Sequence, residues 1–240
     1  MPMEPPAAGA ARTAVAVLLT LGALAYSTWA LEAFLPTGLS PLSTYVSELA
    51  AEDQPYGTFF RALDFAAGVL VCAGAAGALV WLRRWPTAGA RALSALGWAG
   101  IALFGAATAA DSRLPLSCAP TADAACAARE RAGLVPTAHA AHTFSSSAAV
   151  AGALVGMVLL TVVVRKWWAS PAGQAGGVLL GLVGVELVAT VWTLAAVAAF
   201  GAGHGTWGLG VAQRLQLLAI AVWLVVMAWL VRTRRAAPGG

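Results

Sequence analysis

Two pairs of polar residues at helical spacing stand out in a chain that is otherwise apolar. Arg61 and Asp64 are three residues apart, and so are His139 and His142, which are followed by Ser145, Ser146 and Ser147. Residues three apart share a helix face, so each pair presents its functional groups together. Asp111, Arg214 and the run Ser43, Ser47 and Glu48 add further candidates, and Glu186 is an acid inside a long apolar run. Two chemistries fit these types. His139, His142, Asp64 and Asp111 could hold one divalent metal such as Zn²⁺, whose bound water would attack a lipid ester or amide. Arg61 and Arg214 could instead clasp an anionic head group. No HExxH sequence is present, so the metal reading rests on residue types alone. No cofactor is established by the sequence.

The elements that must position these residues are set by composition. Of the 240 residues 60% are hydrophobic and 10% charged, and the mean hydropathy is +0.80. A soluble domain is about a quarter charged; this chain is built for lipid. Six runs are long enough for a spanning helix of roughly 20 residues: about 13–35, 59–82, 92–110, 138–164, 177–200 and 209–231. The expected fold is an all-α bundle of six transmembrane helices over residues 13–232. Tails cover residues 1–12, expected to be disordered, and 233–240. The first run could also be read as a signal peptide ending at Ala30, but its apolar stretch continues through Leu31, Phe34 and Leu35, which is long for one.

Charge placement orients the bundle. Of 14 basic residues, Arg12, Arg83, Arg84, Arg91, Arg165, Lys166, Arg232, Arg234 and Arg235 fall on one side of the alternating spans. Arg113, Arg129 and Arg131 fall on the other. Short loops rich in Lys and Arg stay in the cytoplasm, so both termini are expected there, in a cell membrane. Glu4 is the one acid on that side. The basic pI of 9.4 therefore reads as a topology signal and not as a nucleic-acid surface. Trp81, Trp85, Trp167, Trp168 and Trp229 fall near the cytoplasmic edge, as an interfacial belt would.

Three outer loops follow. The first, from Pro36 to about Thr58, has Leu42, Val46 and Leu49 on one helical face, which predicts a short interfacial helix over Leu42–Ala51. The second holds Cys118 and Cys126, eight residues apart on the oxidising side, and these are expected to pair. Cys72 lies inside a span and is expected to pack there. In this frame Arg61, Asp64, Asp111, His139, His142 and Arg214 come from four helices yet sit at one depth, near the outer surface. Arg214 is roughly 7 Å inside its helix at 1.5 Å per residue. A shared polar pocket follows, lidded by the segment with Ser43, Ser47 and Glu48. Glu186 sits near the midplane, as a buried acid. The expected partners are membrane lipid or a small amphipathic ligand, bound by a receptor, sensor or accessory subunit. A metal-dependent hydrolase and a small-molecule transporter are the alternatives.

The order of these residues also resembles a known family. Ser43-Thr-Tyr-Val-Ser-Glu-Leu-Ala-Ala51, Pro55-Tyr56, Arg61, Asp64, Asp111, the His pair and Gly208-Leu-Gly-Val-Ala-Gln-Arg214 together resemble the DUF998 family of bacterial and archaeal six-span proteins. Gln213 departs from the Glu expected there. The resemblance implies the six-helix fold and the pocket, and brings no activity with it.

Overall fold

A computed structural model describes residues 6–82, 85–168 and 172–233. Arg83, Arg84, Arg234, Arg235 and Glu4, used above for orientation, lie outside the described residues. Among the described residues there are seven α-helices and no strand: α1 (Pro6–Tyr26), α2 (Gly57–Trp81), α3 (Ala88–Asp111), α4 (Ala124–Arg131), α5 (Thr137–Trp167), α6 (Ala172–Gly201) and α7 (Leu209–Thr233). Six segments are long and apolar enough to span a membrane: Gly9–Phe34, Gly57–Trp81, Ala88–Asp111, Thr137–Trp167, Gln174–Gly201 and Leu209–Thr233. They match the six expected runs. The helices extend further at several ends, since hydropathy marks the apolar part of a helix and not its caps. Residues 6–12, expected in the tail, are the first turns of α1.

The spanning helices pack in chain order as a closed ring, α1–α2–α3–α5–α6–α7, with α7 returning to α1. Glycines make the closest crossings. A Cβ at Gly105 of α3 would stand 2.5 Å from the Cys72 nitrogen of α2, and one at Gly100 would stand 2.8 Å from the Gly156 nitrogen of α5. In lipid no hydrophobic drive separates helix contact from lipid contact, so close van der Waals packing through small residues holds such seams. The lumen of the ring is filled over much of its length by Leu19, Trp98, Phe104, Met157, Trp223 and Leu224, all buried. The Trp223 indole nitrogen donates across the lumen to the Thr161 hydroxyl at 3.1 Å, which satisfies its one polar atom.

All the longer connections emerge at one end of the ring, the loop end. There α1 gives way to a 3-10 helix, Thr28–Phe34. Ser27 and Thr28 donate their hydroxyls back to the Ala23 and Ala25 carbonyls at 2.8 and 2.7 Å. Such back-bonding competes with the regular ladder, and the tighter turn swings Glu32 toward α7. The helix expected over Leu42–Ala51 is a shorter 3-10 turn, Val46–Ala50. It does not lie flat with one apolar face down: Leu42 is 67% exposed while Glu48 is fully buried. Loop 112–136 is not loop throughout, because it contains α4. Asp123 caps it by accepting from the Ala125 nitrogen at 2.8 Å, and Arg129 and Arg131 close its last turn. That pairing of an acidic cap with basic last-turn residues was a legible signal. Cys118 and Cys126 form the expected disulfide, with Cα atoms 6.0 Å apart.

Candidate functional site

At the loop end the ring is not filled. A cavity of about 140 Å³ opens there, between the 3-10 turn Val46–Ala50 above and the apolar plug below. Its walls come from α1 (Tyr26), α2 (Arg61, Asp64), α3 (Thr108, Asp111), α5 (His142, Ser146, Ala149) and α7 (Gln213, Gln216). Ser47 of the turn forms part of its roof. Helix α5 explains why imidazoles can sit here. It has 31 residues, roughly 46 Å of helix, against a hydrocarbon core of ~30 Å. Its first turns therefore reach the head-group level or tilt across the bundle.

The most hydrogen-bonded part of the wall joins α3 to α5. The Asp111 carboxylate accepts from the hydroxyls of Ser145 and of Ser146, the latter at 2.9 Å. His142 Nδ1 faces two acceptors, the Leu114 carbonyl at 3.0 Å and Asp111 Oδ1 at 3.1 Å, and so carries its hydrogen. Ser146 gives its single hydrogen to Asp111. The 3.3 Å contact from His142 Nε2 to Ser146 Oγ is a hydrogen bond when Nε2 carries a hydrogen too. The Asp111 carboxylate is thus held by two serine hydroxyls and by His142 Nδ1.

On the opposite wall Arg61 turns outward. One of its terminal nitrogens donates to the Ala50 carbonyl at 2.6 Å and the Ala51 carbonyl at 3.3 Å, and the other donates to the Thr58 hydroxyl at 3.0 Å. It does not form an ion pair with Asp64. Asp64 lines the cavity half-buried and makes no hydrogen bond with any described residue.

The turn above the cavity is pinned from three sides. Gln213 Oε1 accepts from the Val46 nitrogen at 2.8 Å, Arg61 holds Ala50, and Glu48 reaches loop 112–136. The Glu48 carboxylate accepts from the Thr121 nitrogen at 2.7 Å and the Thr121 hydroxyl at 2.5 Å. Burial pushes the Glu48 carboxyl up to about 7, against the opposing pull of those two bonds. Glu52 adds a backbone bond to Leu116 at 2.9 Å.

Of the nine residues expected to share a pocket, Ser47, Arg61, Asp64, Asp111 and His142 do. The other four do not line it. Arg214 is taken by Glu32, which accepts from its Nε and one terminal nitrogen at 2.6 Å each. Its remaining terminal nitrogen donates to the Thr44 and Gly210 carbonyls at 3.1 and 3.0 Å. Glu32 is an acid inside an apolar run, which needs a partner, and that signal could have found it. His139 points away from the cavity. Its Nδ1 accepts from the Ser117 nitrogen at 3.1 Å, and its Nε2 lies 3.6 Å from Glu130. Glu48 is sealed behind the roof, and Ser43 caps a turn through its backbone bond to Ser40 at 3.1 Å. The set His139, His142, Asp64 and Asp111 is therefore not assembled around one point. Among the described residues no group of three or more His, Cys, Asp or Glu stands ready to hold a metal.

Glu186 is fully buried on α6, outside the cavity but joined to it. Gln216 donates to the Thr190 hydroxyl at 2.8 Å, and Thr190 donates to Glu186 Oε1 at 3.3 Å. Glu186 Oε2 has no hydrogen-bond partner among the described residues.

One family model matches the chain, over residues 7–230; its description is "Protein of unknown function (DUF998)". No curated protein and no solved structure matches.

Proposed function

The chain belongs to the DUF998 family, and from that premise we propose that it is a cell-membrane protein whose lidded cavity binds the polar head of a lipid or small amphipathic molecule. The cavity is the observation that carries this reading. Side chains fill much of the ring, and at the loop end charged and hydroxyl groups from four helices converge on a cavity under a pinned turn. Ionisable groups inside an apolar bundle are costly, by roughly 2.5–3.5 kcal/mol each at a helix centre. Collecting them around a void supports a purpose that packing alone does not supply. The disulfide supports an outward-facing loop end, since disulfides persist on the oxidising side. The basic loops on the opposite side agree, and both termini then lie in the cytoplasm.

A hydrolytic reading has one observation in its favour. Ser146, His142 and Asp111 stand in the order nucleophile, base and orienter, at 3.3 and 3.1 Å. The hydroxyl hydrogen of Ser146, however, goes to Asp111 at 2.9 Å, so it is not directed at the imidazole that would have to take it. Binding is the better fit. In the metal version His139 would have to leave Ser117 and rotate into the cavity.

Mass spectrometry of the purified protein tests the binding reading. Wild type is expected to retain a stoichiometric amphiphile. Ala149→Phe, which fills the cavity from α5, is expected to lose it while keeping the wild-type melting temperature. Equal retention by both would overturn the assignment.

A further inference from the structure

The charge balance of the cavity says what kind of head group it takes. Five ionisable side chains line it, those of Tyr26, Arg61, Asp64, Asp111 and His142, and three of the last four are bonded within the protein. Asp111 accepts from His142 Nδ1 and from the hydroxyls of Ser145 and Ser146. The guanidinium of Arg61 is spread over two backbone carbonyls and the Thr58 hydroxyl. Asp64 is left. It lines the cavity and makes no hydrogen bond with any described residue. The cavity thus offers the Asp64 carboxyl as an acceptor that no described residue uses.

Building on the proposed binding of an amphipathic molecule, we infer that the bound head group carries a primary ammonium seated against Asp64. An anionic head would face two carboxylates, and Arg214, the second guanidinium that might have received it, is already closed on Glu32. A primary ammonium brings three N–H donors to a wall in which no described residue donates to Asp64. Gln216 uses its amide nitrogen on Thr190, which leaves its carbonyl oxygen as a further acceptor in the same wall. A quaternary ammonium has no N–H to give. It is commonly held by a cage of aromatic faces, and Tyr26 is the one aromatic ring among the described residues lining the cavity.

The test uses the full chain, purified and stripped of lipid, and native mass spectrometry as the readout. Phosphatidylethanolamine, phosphatidylcholine and phosphatidylglycerol with the same acyl chains are offered in competition, followed by free ethanolamine. The ethanolamine lipid is expected to bind at least tenfold tighter than either of the others, and Asp64→Asn is expected to abolish that preference with an unchanged melting temperature. Displacement by ethanolamine would support a soluble amine as the ligand. Resistance to it would support a lipid amine. A preference for the glycerol or choline lipid in wild type would overturn the ammonium inference and leave the binding reading standing, as would a preference that survives in Asp64→Asn. Failure of wild type to hold any amphiphile above the level of Ala149→Phe would instead remove the binding reading.

Discussion

Arg61 and Arg214 enter the bundle from the same end, each in the first two turns of its helix, and they meet opposite neighbourhoods. At the head of α7 everything closes. Arg214 and Glu32 form a two-pronged pair at 2.6 Å, and the leftover donors go to Thr44 and Gly210. At the head of α2 things stay open. Arg61 serves the roof, and Asp64 faces a void with nothing to accept from. The two regions have the same residue types and the same depth. What separates them is whether complementary groups from other helices arrive at bonding distance. Where they do, the charge locks the fold. Where they do not, the charge is available to a ligand.

The largest expected effect breaks the closed side. Removing one partner of a buried ion pair costs about 3–5 kcal/mol, because the other charge is stranded. Arg214→Ala and Glu32→Ala should each lower stability by that order in thermal unfolding, and the double variant should recover part of the loss. If Arg214→Ala unfolds like wild type, the α7 head is not the clamp described here.

Next comes the roof. The Glu48 carboxyl is raised by burial from 4.5 to about 7. A raised acid binds its proton more tightly when folded, so its contribution is present below about pH 4.5 and is lost as pH rises through about 7. The difference is at most about 3 kcal/mol at 1.36 kcal/mol per unit. Protection of the Thr121 amide, whose hydrogen Glu48 accepts, should fall as pH is raised from 4.5 to above 7. Glu48→Gln should flatten that dependence, and a profile that rises with pH would contradict it.

The disulfide bears on the same roof. Cys118 and Cys126 are eight residues apart, and closing so short a loop is worth about 2–3 kcal/mol on the chain-entropy account. Replacing both with serine should loosen loop 112–136 by that order, read as faster proteolysis there, with the spanning helices intact.

The smallest effect sharpens the contrast most. Asp64→Asn removes no bond, so stability should move by no more than about 0.5 kcal/mol. A loss as large as that of Arg214→Ala would show that both regions are structural.

How far the site was legible follows from these cases. Asp64, Asp111 and His142 could be brought together from their depth in separate spans, since depth is a one-dimensional property of a helix. Direction is not. His139 and His142 share a helix face, yet one turns into the cavity and the other to Ser117, because loop 112–136 folds back between them. Glu32 was hidden by its distance in the chain from Arg214 and by a 3-10 turn that no apolar period announces. Glu48 is expected at the pocket, but Thr121, 73 residues away in the chain, takes its carboxylate and buries it. The crossings at Gly100 and Gly105 look like any small residues in an apolar run before their neighbours are known.

The amino-acid order alone determined the six spans, because lipid demands long apolar helices with every backbone group bonded internally. It also determined the disulfide, because two thiols eight residues apart in one loop have little else to meet. Tertiary structure decided which charges cancel and which remain free. That depends on ring closure of α7 onto α1 and on a roof folded from two distant loops. Both are set by packing across the bundle, where residues far apart in the chain come within hydrogen-bonding reach.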